Sequence, residues 1–233
     1  FFPNIYEHEE IFCQEGWNYQ LEDEDGPITY NGVVYNEMKG VFSSADDVLD
    51  REILNSLFPD TPYGVESGGD PKVIPELSYE QFLDFHRQYY HPSNSYIYLY
   101  GDMDMAEKLE FIDREYLSQF ERICVDSQIP LQAPFEAAKD LERDYPILDN
   151  EDPEESAYLS YNMVIGSSLD LSLCMSFLIL DYALLNSPGA PLKKALLDAG
   201  IGKDIYGSYD DGICQPYLSI VAKNAREEDK ERF

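Results

Sequence analysis

The stretch "SAYLSYNMVIGSSLDLSLCMSFLILDYALLN", residues 156–186, decides the fold class. Residues 156–166 are rich in aromatic and β-branched side chains, which predicts a strand, and the long apolar run at 169–186 predicts a helix. A short helix at 191–200, "PLKKALLDAG", and a strand at 216–223, "PYLSIVAK", follow. Strands and helices in this order, without strict βαβ alternation, predict an α+β fold.

The apolar helix is the most hydrophobic part of the chain. Asp170 and Asp181 interrupt its apolar run, so the uninterrupted part is shorter than the ~20 residues that a bilayer requires. We therefore expect a helix that is buried in the protein core and no membrane partner.

The amino-terminal half has its own helix and strand signals. Ser78 and Gln81 form a predicted capping box at the start of one of the helices. The predicted elements are two helices within 31–58, a helix over 78–90, an aromatic strand over 95–101, a helix over 104–120 and a strand-like segment over 141–147.

Residues 125–140, "VDSQIPLQAPFEAAKD", carry two prolines and no periodicity, which is typical of a linker. The sequence therefore predicts one domain over 1–124, a linker over 125–140 and a second domain over 141–233. The two halves are interpreted as distant copies of one α+β unit.

The charge balance limits the possible partners. The chain has 46 acidic and 16 basic residues, for a net charge of −30, which argues against nucleic acid or an anionic membrane surface as a partner. Basic peptides and metal ions are partners compatible with this negative charge. A simple role of the charge in solubility is compatible with it as well. The four cysteines are scattered, which favours free thiols in a reducing compartment.

Most signatures of catalysis are absent from the sequence. There is no G-x-S-x-G nucleophile motif, and the three histidines, His8, His86 and His91, show no i, i+4 ligand spacing. The G-x-G within 200–207 follows a helix rather than a strand, so it predicts a helix end and a turn. His86 and His91 are most simply interpreted as residues that favour the carboxyl end of a helix.

Glu37, in "NGVVYNEMKG" (31–40), is the one residue that departs from its local pattern. On a helix it falls between Val33 and Val41, on the face where a hydrophobic residue is expected. An ionised carboxylate there costs several kcal/mol unless it has a partner. The alternatives are a Lys or Arg pair or a partly solvated edge, a bound metal, or an acid/base group with a raised pKa.

The order of motifs along the chain resembles the insulinase-like, inverted-zincin metallopeptidases, and in particular their presequence-protease subfamily. The resemblance covers nearly the whole chain in collinear order. It is carried by "FFPN", "QEGWNYQL", "GVVYNEMKG", "YGVESGGDP", "FHRQYYHPSNSYIYLYGDMD" and "SPGAPLKKALLDAGIG".

The resemblance implies that Glu37 is a Zn²⁺ ligand, since family members bind zinc through two histidines of an H-x-x-E-H helix and a later glutamate. No H-x-x-E-H occurs in the 233 residues, so we expect no catalytic residue in this chain and no zinc or activity in the chain alone. The implied protein is a longer zinc endopeptidase of short unfolded peptides, basic ones among them. Its other domains would be partners of this internal fragment.

Two rival interpretations stay open. The chain could belong to a non-catalytic homologue that binds peptides or supports assembly, or Glu37 could be a purely structural acid. The resemblance and the cysteines together favour a bacterial cytoplasm, with an organelle matrix as the alternative.

Overall fold

The computed structural model describes residues 3–148 and 152–233. It consists of helices and small antiparallel sheets, so the predicted α+β class is confirmed. The chain divides into two compact units. The first comprises Phe1–Gly40 and Gly68–Ile129, and the second comprises Val41–Ser67 and Pro130–Phe233. The family-type domains over 1–124 and 141–233 stay a prediction.

The first unit holds a two-stranded hairpin and four helices. The hairpin pairs β1 with β2 in antiparallel register, with Tyr19 opposite Tyr30. The bounds are α1 Glu9–Glu15, β1 Asn18–Leu21, β2 Ile28–Asn31, α2 Val33–Val41, α4 Tyr79–Tyr89 and α5 Met105–Glu115, where α2 reaches one residue beyond the first unit. The predicted capping box at Ser78 and Gln81 is present at the start of α4.

The second unit is built on a three-stranded antiparallel sheet in the order β3-β5-β4. Its elements are α3 Ala45–Leu57, β3 Ala157–Val164, α6 Leu171–Asp181, a π-helical turn Tyr182–Asn186, α7 Pro191–Asp198, β4 Asp204–Asp210 and β5 Tyr217–Ala225. The sequence predicted β3, β5 and both α6 and α7, but not β4.

Three buried clusters stabilise this second unit. Ile205 and Ala222, both fully buried, join Leu185 and Leu196 in one of them. Phe58, fully buried at the end of α3, packs with Ile53 and Leu57 in another, and Ile165, Cys174 and Tyr209 form a third. The sheet and the helices that cover it therefore supply a hydrophobic core of ordinary type.

The prediction that the apolar helix is buried is wrong. In α6 only Cys174 is buried, whereas Leu171, Met175 and Ile179 are half exposed or more. The helix packs one side on the sheet, and no second layer covers its other side among the described residues. By length and composition alone, the helical stretch Leu171–Asp198 could cross a membrane. Of the apolar window within it, 11% is buried inside the protein.

Two predicted strands are also absent. Residues 95–101 and 141–147 have no regular secondary structure. In the first of these segments Tyr96, Tyr98 and Tyr100 are almost fully exposed. A strand is defined by its hydrogen-bonded neighbour, and among the described residues no backbone hydrogen bond reaches 96–100.

The predicted linker, 125–140, contains no helix or strand, yet it is anchored. The buried side chain of Gln132 accepts a hydrogen bond from the backbone N–H of Asp60 (2.9 Å) and donates one to the Asp60 carboxylate (2.8 Å). Its backbone and the Gln215 side chain exchange two further hydrogen bonds, of 2.7 and 3.1 Å. This part of the segment therefore belongs structurally to the second unit.

Candidate metal ligand and its helix

The start of α2 is fixed by a close approach of two backbone segments. Gly32 has a φ of +145°, and a Cβ atom there would lie 2.3 Å from the carbonyl oxygen of Gly16. That oxygen accepts a hydrogen bond of 3.2 Å from the backbone N–H of Tyr35. Only glycine fits at position 32, both for its conformation and for this contact. The helix therefore begins in a set position directly after β2.

The rotation of α2 about its axis is set by one buried side chain. Met38 is the only residue of the helix that is buried. Its sulfur would lie 2.3 Å from a Cβ atom at position 68, where the chain has glycine. We call this contact the Gly68 notch. It leaves the space in which Met38, the buried residue of α2, is held.

Glu37 lies next to Met38 and is exposed, so the prediction that it lies on a core face is wrong. The neighbouring valines, Val33, Val34 and Val41, are exposed as well, at 53%, 37% and 39%. The apolar face that the sequence predicts also includes Met38 and Phe42, so in this structure its three valines face solvent while Met38 is buried. The valines are exposed because the described residues place no element over them.

No hydrogen bond or ion pair reaches the Glu37 carboxylate from any described residue. Of the alternatives for this acid, the Lys or Arg pair therefore has no counterpart in the described chain, and the solvated position does. A carboxylate that is exposed and unpaired is free to act as a metal ligand through its oxygen atoms. Its chemistry fits the predicted role, which stays a prediction.

The described residues contain no group of three or more His, Cys, Asp or Glu side chains that could hold a metal ion. The three histidines have other partners. His8 binds Glu10 at 2.9 Å, His91 accepts the backbone N–H of Ser93 at 3.1 Å, and Nδ1 of His86 lies 2.7 Å from the Tyr6 hydroxyl. Burial lowers the pKa of His86 below its usual value.

The end of α4 borders an open groove of about 490 Å³. It is lined by Phe85, His86, Tyr89, Tyr90, His91, Asn94 and Ser95. His86 stacks on Tyr90 at 4.6 Å, and His91 caps the short 3-10 turn Pro92–Asn94. These contacts agree with a structural role for both histidines at the helix end.

The four cysteines, Cys13, Cys124, Cys174 and Cys214, are free thiols. Cys174 is the buried one and packs in the core of the second unit.

The hairpin of β1 and β2, which precedes α2, was missed by the sequence analysis. Its signal was present as period-2 alternation, with aromatic and aliphatic residues at 17, 19 and 21 and again at 28 and 30.

Comparison with known proteins identifies the class. Residues 76–230 match the family profile described as "Peptidase M16 inactive domain". The chain therefore belongs to the M16 peptidase family, and the resemblance to insulinase-like metallopeptidases is confirmed.

The particular relatives narrow the class further. The chain is 49% identical over 232 residues to "Protein HypA" of Clostridium perfringens, covering 100% of this chain and 24% of that protein. It is 40% identical over 236 residues to "Presequence protease 1, chloroplastic/mitochondrial" of Arabidopsis thaliana, covering 100% and 22%. The chain thus spans about a quarter of the length of these relatives.

A solved structure shares the fold. A chain of "Complex III2 from Candida albicans, Inz-5 bound" superposes with a TM-score of 0.60 at 14% sequence identity. The match covers 82% of this chain and 45% of that chain. At this identity the likeness concerns the fold alone.

Proposed function

We propose that this chain is part of a zinc-dependent M16 endopeptidase that degrades short unfolded peptides, and that Glu37 supplies one of its zinc ligands. The observation that carries the proposal is the 40% identity to a presequence protease over the whole chain. The exposed and unpaired Glu37 carboxylate on α2 supports it. The remaining ligands and the general base would come from the rest of the parent protein.

This chain would supply only some of the residues of the reaction site, and the rest of the parent protein would supply the others. Zinc, when bound, polarises water for attack on a peptide carbonyl. Glu37 would hold the metal through a carboxylate oxygen, and the Gly68 notch would hold α2 so that this carboxylate faces outward. The free thiols agree with a reducing compartment, either a bacterial cytoplasm or an organelle matrix.

The test uses the parent-length protein and its Glu37→Gln variant. We expect about one equivalent of zinc and hydrolysis of a quenched basic peptide in the parent. In the variant we expect at least a ~100-fold loss of kcat/KM, because even the outer partners of a metal ligand are worth 10–100-fold. Glu80→Gln, which removes an exposed acid at the start of α4, is the matched control and should keep zinc and activity.

A non-catalytic homologue that binds peptides is the second candidate. The family profile that matches residues 76–230 is described as an inactive domain, which is compatible with this alternative and with a fragment of an active peptidase. A well-folded parent that binds peptide but has neither zinc nor hydrolytic activity would establish it. Zinc and activity that survive Glu37→Gln would instead remove Glu37 from the site.

A further inference from the structure

A cavity of about 170 Å³ lies in the second unit, between α3 and the segment 139–143. Its lining includes Asn55 and Ser56 of α3 and, from the later segment, Lys139 and Arg143. Pockets that hold drug-sized ligands begin at about 300 Å³. This cavity is smaller, so it suits a small polyatomic ion better than a cofactor or a peptide.

The charged groups of the lining leave cationic donors available. Glu52 is the acid of the lining, and both of its carboxylate oxygens are engaged, one by Arg51 at 2.8 Å and the other by Arg143 at 2.9 Å. Lys139 makes no ion pair with any described residue, and its ammonium lies 4.2 Å from the centroid of the Phe135 ring. Three cations are thus gathered around one carboxylate, in a chain whose net charge is −30.

The acids that neighbour the lining residues in the sequence are engaged elsewhere. Asp140 and Glu142 both bind the ammonium of Lys230, at 2.7 and 3.0 Å, and neither lines the cavity. The charged groups that line the cavity are therefore two cations and the already paired Glu52. Because opposite charges attract strongly where water is partly excluded, this lining favours an anion.

One polar atom of the lining residues lacks a partner. The side-chain oxygen Oδ1 of Asn55 is buried and accepts no hydrogen bond from any described residue. The neighbouring Ser56 hydroxyl does not serve it, because that hydroxyl donates to the carbonyl oxygen of Ile53 at 2.9 Å. A buried acceptor without a donor is costly. A ligand that donates a hydrogen bond to Asn55 would therefore complete the site.

We propose that this cavity binds inorganic phosphate, which keeps at least one P–OH group at neutral pH. The Lys139 ammonium and the Arg143 guanidinium donate hydrogen bonds to the phosphate oxygens, as such groups do at other phosphate sites. Nε of Arg143 binds Glu52 and Nη1 donates to the carbonyl oxygen of Glu142, which leaves Nη2 for the ligand. The P–OH group donates to Oδ1 of Asn55. Sulfate has a similar shape but no proton to donate, so the site prefers phosphate.

The experiment measures binding of radiolabelled inorganic phosphate to the parent-length protein by equilibrium dialysis at neutral pH. Sodium chloride at about 0.15 M limits the reach of distant charges to about 8 Å, so binding reports on the groups of the site. We expect saturable binding that unlabelled phosphate displaces. Sulfate should displace the label at least about ten-fold less effectively, because it leaves the Asn55 oxygen without a donor.

Matched variants separate the site from general effects. Lys139→Gln should weaken phosphate binding about ten-fold, because a charge-assisted hydrogen bond is lost. Lys194→Gln removes the same charge from an exposed position of α7, where the lysine pairs with Asp198, and should leave binding unchanged. Lys139→Arg keeps the cation and should bind like the unaltered protein, which distinguishes loss of contact from loss of folding. Asn55→Ala should lower the affinity for phosphate to that for sulfate.

The proposal is overturned if the parent binds no phosphate, or if Lys139→Gln binds phosphate as well as the unaltered protein. It is also overturned if sulfate displaces the label as well as phosphate does, or if Lys194→Gln weakens binding as much as Lys139→Gln, because net charge then explains the effect. Phosphate that is lost with Glu37→Gln but retained with Lys139→Gln would be bound to the metal instead. The measurement needs neither peptide nor hydrolysis, so its outcome is independent of the proposed function.

Discussion

The hairpin of the first unit and the sheet of the second are built from similar residues but differ in how far their apolar residues are buried. Tyr19 and Tyr30 pair across two strands that have no other neighbour, and both remain exposed. In the sheet, β5 has a neighbour on each side, and its Val221 and Ala222 are almost fully buried. Burial of a strand thus depends on its neighbours and on a covering layer more than on its own composition.

The largest expected effect lies in the buried region. Phe58→Ala removes a ring that is fully buried and packs edge-on against Tyr63 and Tyr217. We expect the free energy of unfolding to fall by about 3–5 kcal/mol, the usual loss for a buried Phe. Urea denaturation measures it, and Phe135→Ala, at a partly exposed position, should cost less than about 1 kcal/mol. Equal losses of unfolding free energy in the two variants would contradict the contrast between buried and exposed regions.

Gln132→Ala should cause the second-largest loss of unfolding free energy. The variant leaves the backbone N–H and the carboxylate of Asp60 without their partner. An unsatisfied buried group costs about 1–3 kcal/mol, and we expect a loss within this range in the same denaturation experiment. Gln128→Ala, at an exposed position of the same irregular segment, is the control. A neutral Gln132→Ala would show that the segment is not anchored through this side chain.

Asp181→Asn should stabilise the protein at neutral pH. Burial raises the pKa of Asp181, and one of its oxygens has no hydrogen-bond partner. A raised folded-state pKa means that the protonated form favours folding below pH 3.8 and that this contribution is lost as pH rises. The melting temperature of the variant should exceed that of the unaltered chain at pH 7, and the gain should vanish in acid.

The control for this pH dependence lies at the other end of the helix. Asp170 caps the start of α6 by accepting the backbone N–H of Leu173. Asn caps a helix about as well as Asp, so Asp170→Asn should change stability little. A stabilisation as large as that of Asp181→Asn would show that the gain comes from net charge alone.

The smallest effect on stability is expected in the hairpin. Tyr19→Ser removes an exposed side chain whose cross-strand contact is worth about 0.2–1 kcal/mol. We expect a change in unfolding free energy below about 1 kcal/mol, by the same urea measurement. A loss as large as that of Phe58→Ala would mean that the apolar face is part of a core, and the contrast between the two regions would fail.

The same contrast explains what the sequence could predict. The helices other than α1, the capping box at Ser78 and the strands β3 and β5 follow from local pattern and were found. The segment at 95–101 has an equally strong pattern, but a strand also needs a partner, and no local signal reports its presence. The exposure of α6 was unpredictable for the same reason, because coverage by a second layer is a tertiary property.

For the candidate site, sequence reasoning found the unusual residue but not its surroundings. Glu37 stood out because an acid interrupts an apolar face, and the structure shows the valines of that face exposed while Met38 is buried. The zinc role rests on the family resemblance, since one carboxylate cannot define a metal site. The hairpin was missed because its two strands are only four residues each.

The Gly68 notch has a consequence for how the site could change during evolution. Neighbouring positions on a helix differ by about 100° around its axis, so a roll of α2 by one position would swing the Glu37 carboxylate through a quarter-turn or more. Glycine at 68, thirty residues beyond Met38 in the sequence, leaves the space that the Met38 side chain occupies. A methyl group at this position would lie 2.3 Å from the Met38 sulfur, so the one buried side chain of α2 would have to move to admit it.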